Sequence, residues 1–185
     1  APTGAESAIQ AAAEAAHSLL AAQHQVGLAV LSPAHPDASD GWVWLPPGDS
    51  QTARTRFQTV LDAAATPPDD DEPPDKTTPP EVDSLRQHIR QTSPKAQIIL
   101  FSPLTDDYPV EMCTTLRTAE YYCQVYTPDV SAQGSPGAII ETTAHRLRMQ
   151  TLRAQGVPVV AWPCDQPLSQ AVASTDDSQN TTGMT

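Results

Sequence analysis

The chain reads as an α/β protein whose strands form a mostly parallel sheet with helices on both faces. Segments with apolar residues at helical spacing alternate along it with short, continuous apolar runs such as "VGLAVLS" and "AQIILFS". That alternation implies right-handed crossovers and a sheet buried from both sides. The connections between these segments are rich in Pro, Asp and Ser, the residues that turn a chain rather than extend it.

The first element is a helix over 5–24, "AESAIQAAAEAAHSLLAAQH", with Ile9, Ala12, Ala13, Ala16, Leu19 and Leu20 along a narrow apolar face. It leads to a strand over 26–32, whose unbroken apolar character suits a parallel strand covered on both faces. "GWVWLPPG" follows as an edge strand stopped at Pro46 and Pro47, which lack the N–H a ladder needs. A second helix, 50–65, takes Ser50 as its N-cap and turns Phe57, Val60, Leu61 and Ala64 to the core.

The segment 66–80 sets "DDDE" between Pro pairs and reads as a solvated loop. A third helix over 81–92 places Val82, Leu85 and Ile89 on one side. "AQIILFS" is the expected central strand. A helix over 109–119 and a strand over 121–129 come next. The helix "AIIETTAHRLRMQTLRAQG" closes on Gly156, a natural C-cap, and delivers the chain to a last strand with Val157, Val159, Val160 and Trp162. A single domain over 1–172 and a disordered polar tail over 173–185 are expected.

Composition excludes some functions. The chain holds 22 acidic residues against 10 basic ones, for a formal net charge of −12. Binding a phosphate backbone needs clustered Lys and Arg, so nucleic acid is not an expected partner. Scarce Lys with abundant Asp is the composition of proteins adapted to high salt, where screening removes self-repulsion. Three cysteines, Cys113, Cys123 and Cys164, form no C-x-x-C pair and leave an odd thiol in any disulfide scheme, so a reduced, cytoplasmic setting is expected. No run approaches the ~20 apolar residues of a membrane span. The opening at Ala1, directly into a helix and without Met, leads us to expect that something upstream has been removed.

In open α/β sheets ligands bind beyond the carboxyl ends of the strands. Those ends here carry Asp37, Asp106, Asp107, Asp129 and Asp165, hard oxygen ligands suited to Mg²⁺ or Ca²⁺. The competing reading is that each Asp turns the chain and caps the next helix. His17, His24, His35, His88 and His145 show no metal spacing, and neither Cys113 nor Cys123 has an activating base in sequence. No nucleophile elbow, phosphate loop, dinucleotide fingerprint or H-E-x-x-H occurs. Arg146, Arg148 and Arg153 form the one basic stripe, readable as a partner-binding surface or as a solvated helix face matched to its dipole.

Taken in order, "AAHSLLAAQHQVGLAVLS", "WVWLPPG", "IILFSPLTDD", "VYTPDVS" and "LRMQTLRAQGVPVVAWPCDQPLSQAV" resemble the von Willebrand factor A-like domain of a prokaryotic membrane-protein family of unknown function, often encoded beside MoxR-type AAA ATPases. The resemblance covers roughly 5–172 and implies a three-layer, Rossmann-like fold. In such domains a first strand ending in D-x-S-x-S supplies the main ligands of a divalent cation. Here that strand and its motif are missing, and Pro103 stands where the pattern usually has Asp.

The resemblance therefore implies a degenerate metal site, with Thr52, Asp106 and Asp107 as the remaining candidates for Mg²⁺ or Mn²⁺. The resemblance implies longer relatives that are membrane-anchored with this domain in the cytoplasm or at the membrane surface, and their setting points to a protein partner such as the ATPase or envelope proteins. The expected function is a non-enzymatic interaction domain with no required cofactor. The alternatives are an Mg²⁺- or Mn²⁺-dependent ligand-binding domain and a hydrolytic or small-molecule enzyme on the same rim.

Overall fold

The computed structural model describes residues 3–31, 41–48, 51–65, 82–92, 95–129, 138–163 and 166–169. In chain order the elements are α1 (Gly4–Ala21), β1 (Val26–Leu31), β2 (Trp42–Gly48), α2 (Gln51–Ala65), α3 (Val82–Thr92), β3 (Gln97–Phe101), α4 (Tyr108–Thr118), β4 (Tyr122–Asp129), α5 (Ala138–Ala154) and β5 (Val159–Pro163). The fold is mixed α/β, as the alternating periodicity predicts. The expected acidic loop over 66–80, the tail over 173–185, Ser50, His35, Asp37, Cys164 and Asp165 lie outside the described residues.

The chain divides into two compact units. One comprises Ala15–Ile98 and Glu111–Cys123, the other Ala1–Glu14, Ile99–Val110 and Gln124–Thr185. In the first, Ala16, Leu20, Val43, Leu45, Phe57 and Val60 form a core, with Val26, Leu28, Val30 and Ala53 packed against it. Phe57 and Val60 are three residues apart on α2, so the helix repeat alone brings them to one face. Burying each large side chain of this set contributes on the order of 1.5–3 kcal/mol. The ring of His88 on α3 lies against Trp44 on β2, with centroids 6.1 Å apart.

The strands correct the expectation of a single, mostly parallel sheet. β1 and β2 pair antiparallel in a two-stranded sheet, while β3, β4 and β5 form a separate three-stranded parallel sheet in that order. β1 was expected to be parallel and covered on both faces, yet Val26–Val30 are only half-buried and Leu31 is exposed. A hairpin partner covers one edge of a strand and leaves a face to solvent, whatever the strand's own apolarity.

β2 does not stop at Pro46 but runs on to Gly48. Its register shows how: Leu28 faces Leu45 and Val26 faces Gly48, so β2 spends one residue more than β1 over that interval. This bulge accommodates two prolines that have no N–H to donate. Gly27 sits opposite it, where a Cβ would come within 3.2 Å of the Leu45 carbonyl oxygen and the Pro47 ring.

A further correction concerns the middle of the parallel sheet. It is β4, not the more apolar β3. On β4, Cys123, Val125 and Thr127 are buried on one side and Gln124 and Tyr126 are half-buried on the other. Phe101 of β3 stacks on Tyr126 at 5.4 Å. A strand's place in a sheet follows from what flanks it, which its own side chains do not encode.

Candidate functional site

The strand-end rim expected to carry function is described where β3 and β4 finish, within one unit. Ser102 continues β3 by donating its N–H to the Tyr126 carbonyl at 3.1 Å. Its Oγ then accepts the Leu104 N–H at 3.1 Å, which helps hold Leu104 at φ 52°. A leucine in the left-handed region is strained by about 1–2 kcal/mol. Complete burial of the side chain offsets that cost, since leucine burial contributes roughly the same or more.

Asp106 accepts the Tyr108 N–H through Oδ1 at 3.1 Å, an Asx turn at the head of α4. Asp107 instead meets α5. Arg148 donates through Nε to Asp107 Oδ1 at 2.7 Å and through an Nη1 hydrogen to the Leu104 carbonyl at 3.1 Å. One guanidinium thus holds both the strained leucine and the carboxylate that follows it, using the fork geometry that Lys lacks.

One turn earlier on α5, His145 and Thr127 form a buried pair, with Nε2 and Oγ1 2.9 Å apart. Both are almost wholly shielded from solvent. Burial lowers the His145 pKa from its ordinary value; Asp129 at the end of β4 pulls it up and Arg148 pushes it down again. A hydroxyl beside an imidazole is the geometry of a nucleophile and its base. Thr127 is fully buried, and the pair joins α5 to β4.

Sequence spacing shows no partner for His145, and that is the main functional-looking contact it misses. The available signal was phase: His145 shares a helix face with Met149 and Leu152, at i+4 and i+7. Thr127, 18 positions away in the chain, is not identifiable from such a pattern.

The remaining candidates are dispersed. Thr52 is exposed in the first turn of α2, in the other unit. Among the described residues no group of three His, Cys, Asp or Glu is arranged to hold a metal ion. Asp106 and Asp107 are brought next to each other, but one turns the chain and the other pairs with Arg148. Of the three stripe arginines, Arg148 is thereby engaged, Arg153 donates to the Val159 carbonyl at 3.2 Å, and Arg146 is exposed on the outer side of α5.

His88 is half-buried, with Nδ1 2.8 Å from the Ser84 carbonyl, and His17 and His24 are exposed. Cys113 and Cys123 are free and buried. Burial, with a smaller contribution from Cys123, pushes the Cys113 thiol up to about 12. Burial likewise pushes Cys123 up to about 11, with Arg117 pulling it down. Both stay protonated near neutral pH, where only a thiolate is nucleophilic.

No helix among the described residues is long and apolar enough to cross a membrane. Comparison of the chain with protein-family models, with curated proteins and with solved structures finds no match.

Proposed function

We propose that this chain is a non-enzymatic protein-binding domain of von Willebrand A-like, Rossmann-like type. Its strand-end loop is held by an internal guanidinium in place of a bound divalent cation. The observation that carries the reading is the Arg148 fork on Asp107 and the Leu104 carbonyl. Arg148 sits 2.7 Å from the Asp107 carboxylate, and a permanent positive charge at that distance disfavours a second cation there. The sealed Thr127–His145 pair supports assigning no chemistry to the rim. Action in the cytoplasm beside a MoxR-type ATPase or envelope proteins belongs to the same proposal and rests on the sequence resemblance alone.

The test is isothermal titration of the folded chain with Mg²⁺ and with Mn²⁺ in molar KCl. No saturable heat is expected. Binding near one equivalent that disappears in Asp107→Asn would replace this proposal with the metal-dependent ligand-binding domain.

A further inference from the structure

The outer face of α5 carries a pattern that the rim does not use. Thr143, Leu147, Gln150 and Ala154 are all exposed and follow one another at intervals of four, three and four residues. This is the spacing of the a and d positions of a two-stranded coiled coil, occupied here by one large apolar residue, Leu147, with Ala154 and two uncharged polar residues. Leu147, at its centre, is 63% exposed, more than any other large apolar side chain among the described residues. Gln150 and Ala154 leave the seam uncharged.

Arg146 and Arg153 lie seven residues apart along one flank of that seam, both exposed, Arg153 with one Nη2 hydrogen given to the Val159 carbonyl and its other N–H groups left for a partner. With Leu147 at an a position, both occupy g positions, about 10.5 Å apart along the helix. No acidic residue occurs from Thr142 to Ala154, in a chain whose formal charge is −12. The Asp107 carboxylate is committed to Arg148. The face therefore combines an uncharged helix-packing seam with a basic border, the reverse of the chain's overall charge.

We infer that the outer face of α5 docks an acidic amphipathic helix of a partner protein, one that sets apolar residues against Thr143, Leu147, Gln150 and Ala154 and carboxylates, one heptad apart, against Arg146 and Arg153. The inference rests on the proposed protein-binding function and names where the partner sits and what chemistry it presents. Charge selects the partner's sign, because like charges at e and g positions oppose pairing. Leu147 contributes the desolvated centre of the contact.

The experiment measures fluorescence anisotropy of a labelled three-heptad helical peptide with Leu at a and d and Glu at e, against the same peptide with Lys for Glu. The folded chain is expected to bind the Glu peptide and not the Lys peptide. Leu147→Glu and the double variant Arg146→Glu, Arg153→Glu should each weaken binding by about tenfold or more. All three positions are exposed, and circular dichroism checks that each variant folds. Equal binding of both peptides, binding of neither, or indifference to the substitutions overturns the inference.

A photocrosslinking side chain placed at Gln150 or, separately, at Thr105 in cells expressing the chain separates this claim from the reading beneath it. An adduct at Gln150 that is lost on charge reversal of Arg146 agrees with the peptide result. Adducts at Thr105 alone leave a protein-binding domain but overturn α5 as its surface, and adducts at neither position overturn both.

Discussion

Arg148 donates to two acceptors whose surroundings differ, and its worth is not that of its ion pair. The Asp107 side chain is 76% exposed, so solvent screens the charge interaction to about 1 kcal/mol or less. The Leu104 carbonyl is part-buried and would lose its only described side-chain donor. Asp107→Ala should therefore cost under about 1 kcal/mol, and Arg148→Ala about 1–3 kcal/mol. Urea unfolding decides this, and equal losses in the two variants would place the stabilisation in the ion pair alone.

His145 gives the same scale a pH dependence. Its folded pKa lies below the unfolded value of 6.5, chiefly through burial. Between those two values the unfolded chain binds more protons, so stability is complete above about pH 6.5 and falls as pH drops toward the folded pKa. His145→Gln removes the titration. The wild type should lose more stability than the variant on acidification through that window, measured as the shift in urea midpoint. Parallel pH profiles would contradict the assignment.

Helix ends show what an element needs beyond its periodicity. α1, α4 and α5 close by the same device, a residue in the left-handed region followed by a backward N–H bond. The bonds are His24 to Leu19, Tyr121 to Leu116 and Val157 to Leu152, with Gln23, Glu120 and Gly156 at φ 65°, 68° and 74°. Only Gly156 has the residue type that this conformation favours. Glu120→Gly should stabilise the chain by about 1 kcal/mol and Gly156→Ala should destabilise it by a similar amount, both read from thermal unfolding. A loss in Glu120→Gly would mean that the Glu120 side chain contributes more than its backbone strain costs. At its other end α1 is closed by Thr3 and Glu6, which exchange backbone N–H bonds as a capping box at 2.6 and 3.2 Å.

At the scale of the whole molecule, charge is the governing quantity. A formal charge of −12 disfavours any compact state at low ionic strength, and salt relieves this by shortening the reach of the repulsion. The melting temperature should rise from low to molar KCl. A flat or falling profile would show that pairs such as Arg86 with Asp83, at 3.0 Å, outweigh the net repulsion.

The sequence by itself determined the order and type of the elements. The helices have apolar stripes that repeat every 3.6 residues, and β1 and β3 are short apolar runs, and both are local properties. It also determined the acidic net charge, the Gly156 cap and the place of Asp106 ahead of α4. Only the tertiary structure decided that β1 pairs with β2 rather than joining a parallel sheet, and that β4 takes the middle. It alone brought Arg148 to Leu104 and His145 to Thr127, across 44 and 18 positions of chain. Strand pairing and long-range hydrogen bonds depend on which segments meet, and a periodic pattern carries the face of an element but not the identity of its neighbour.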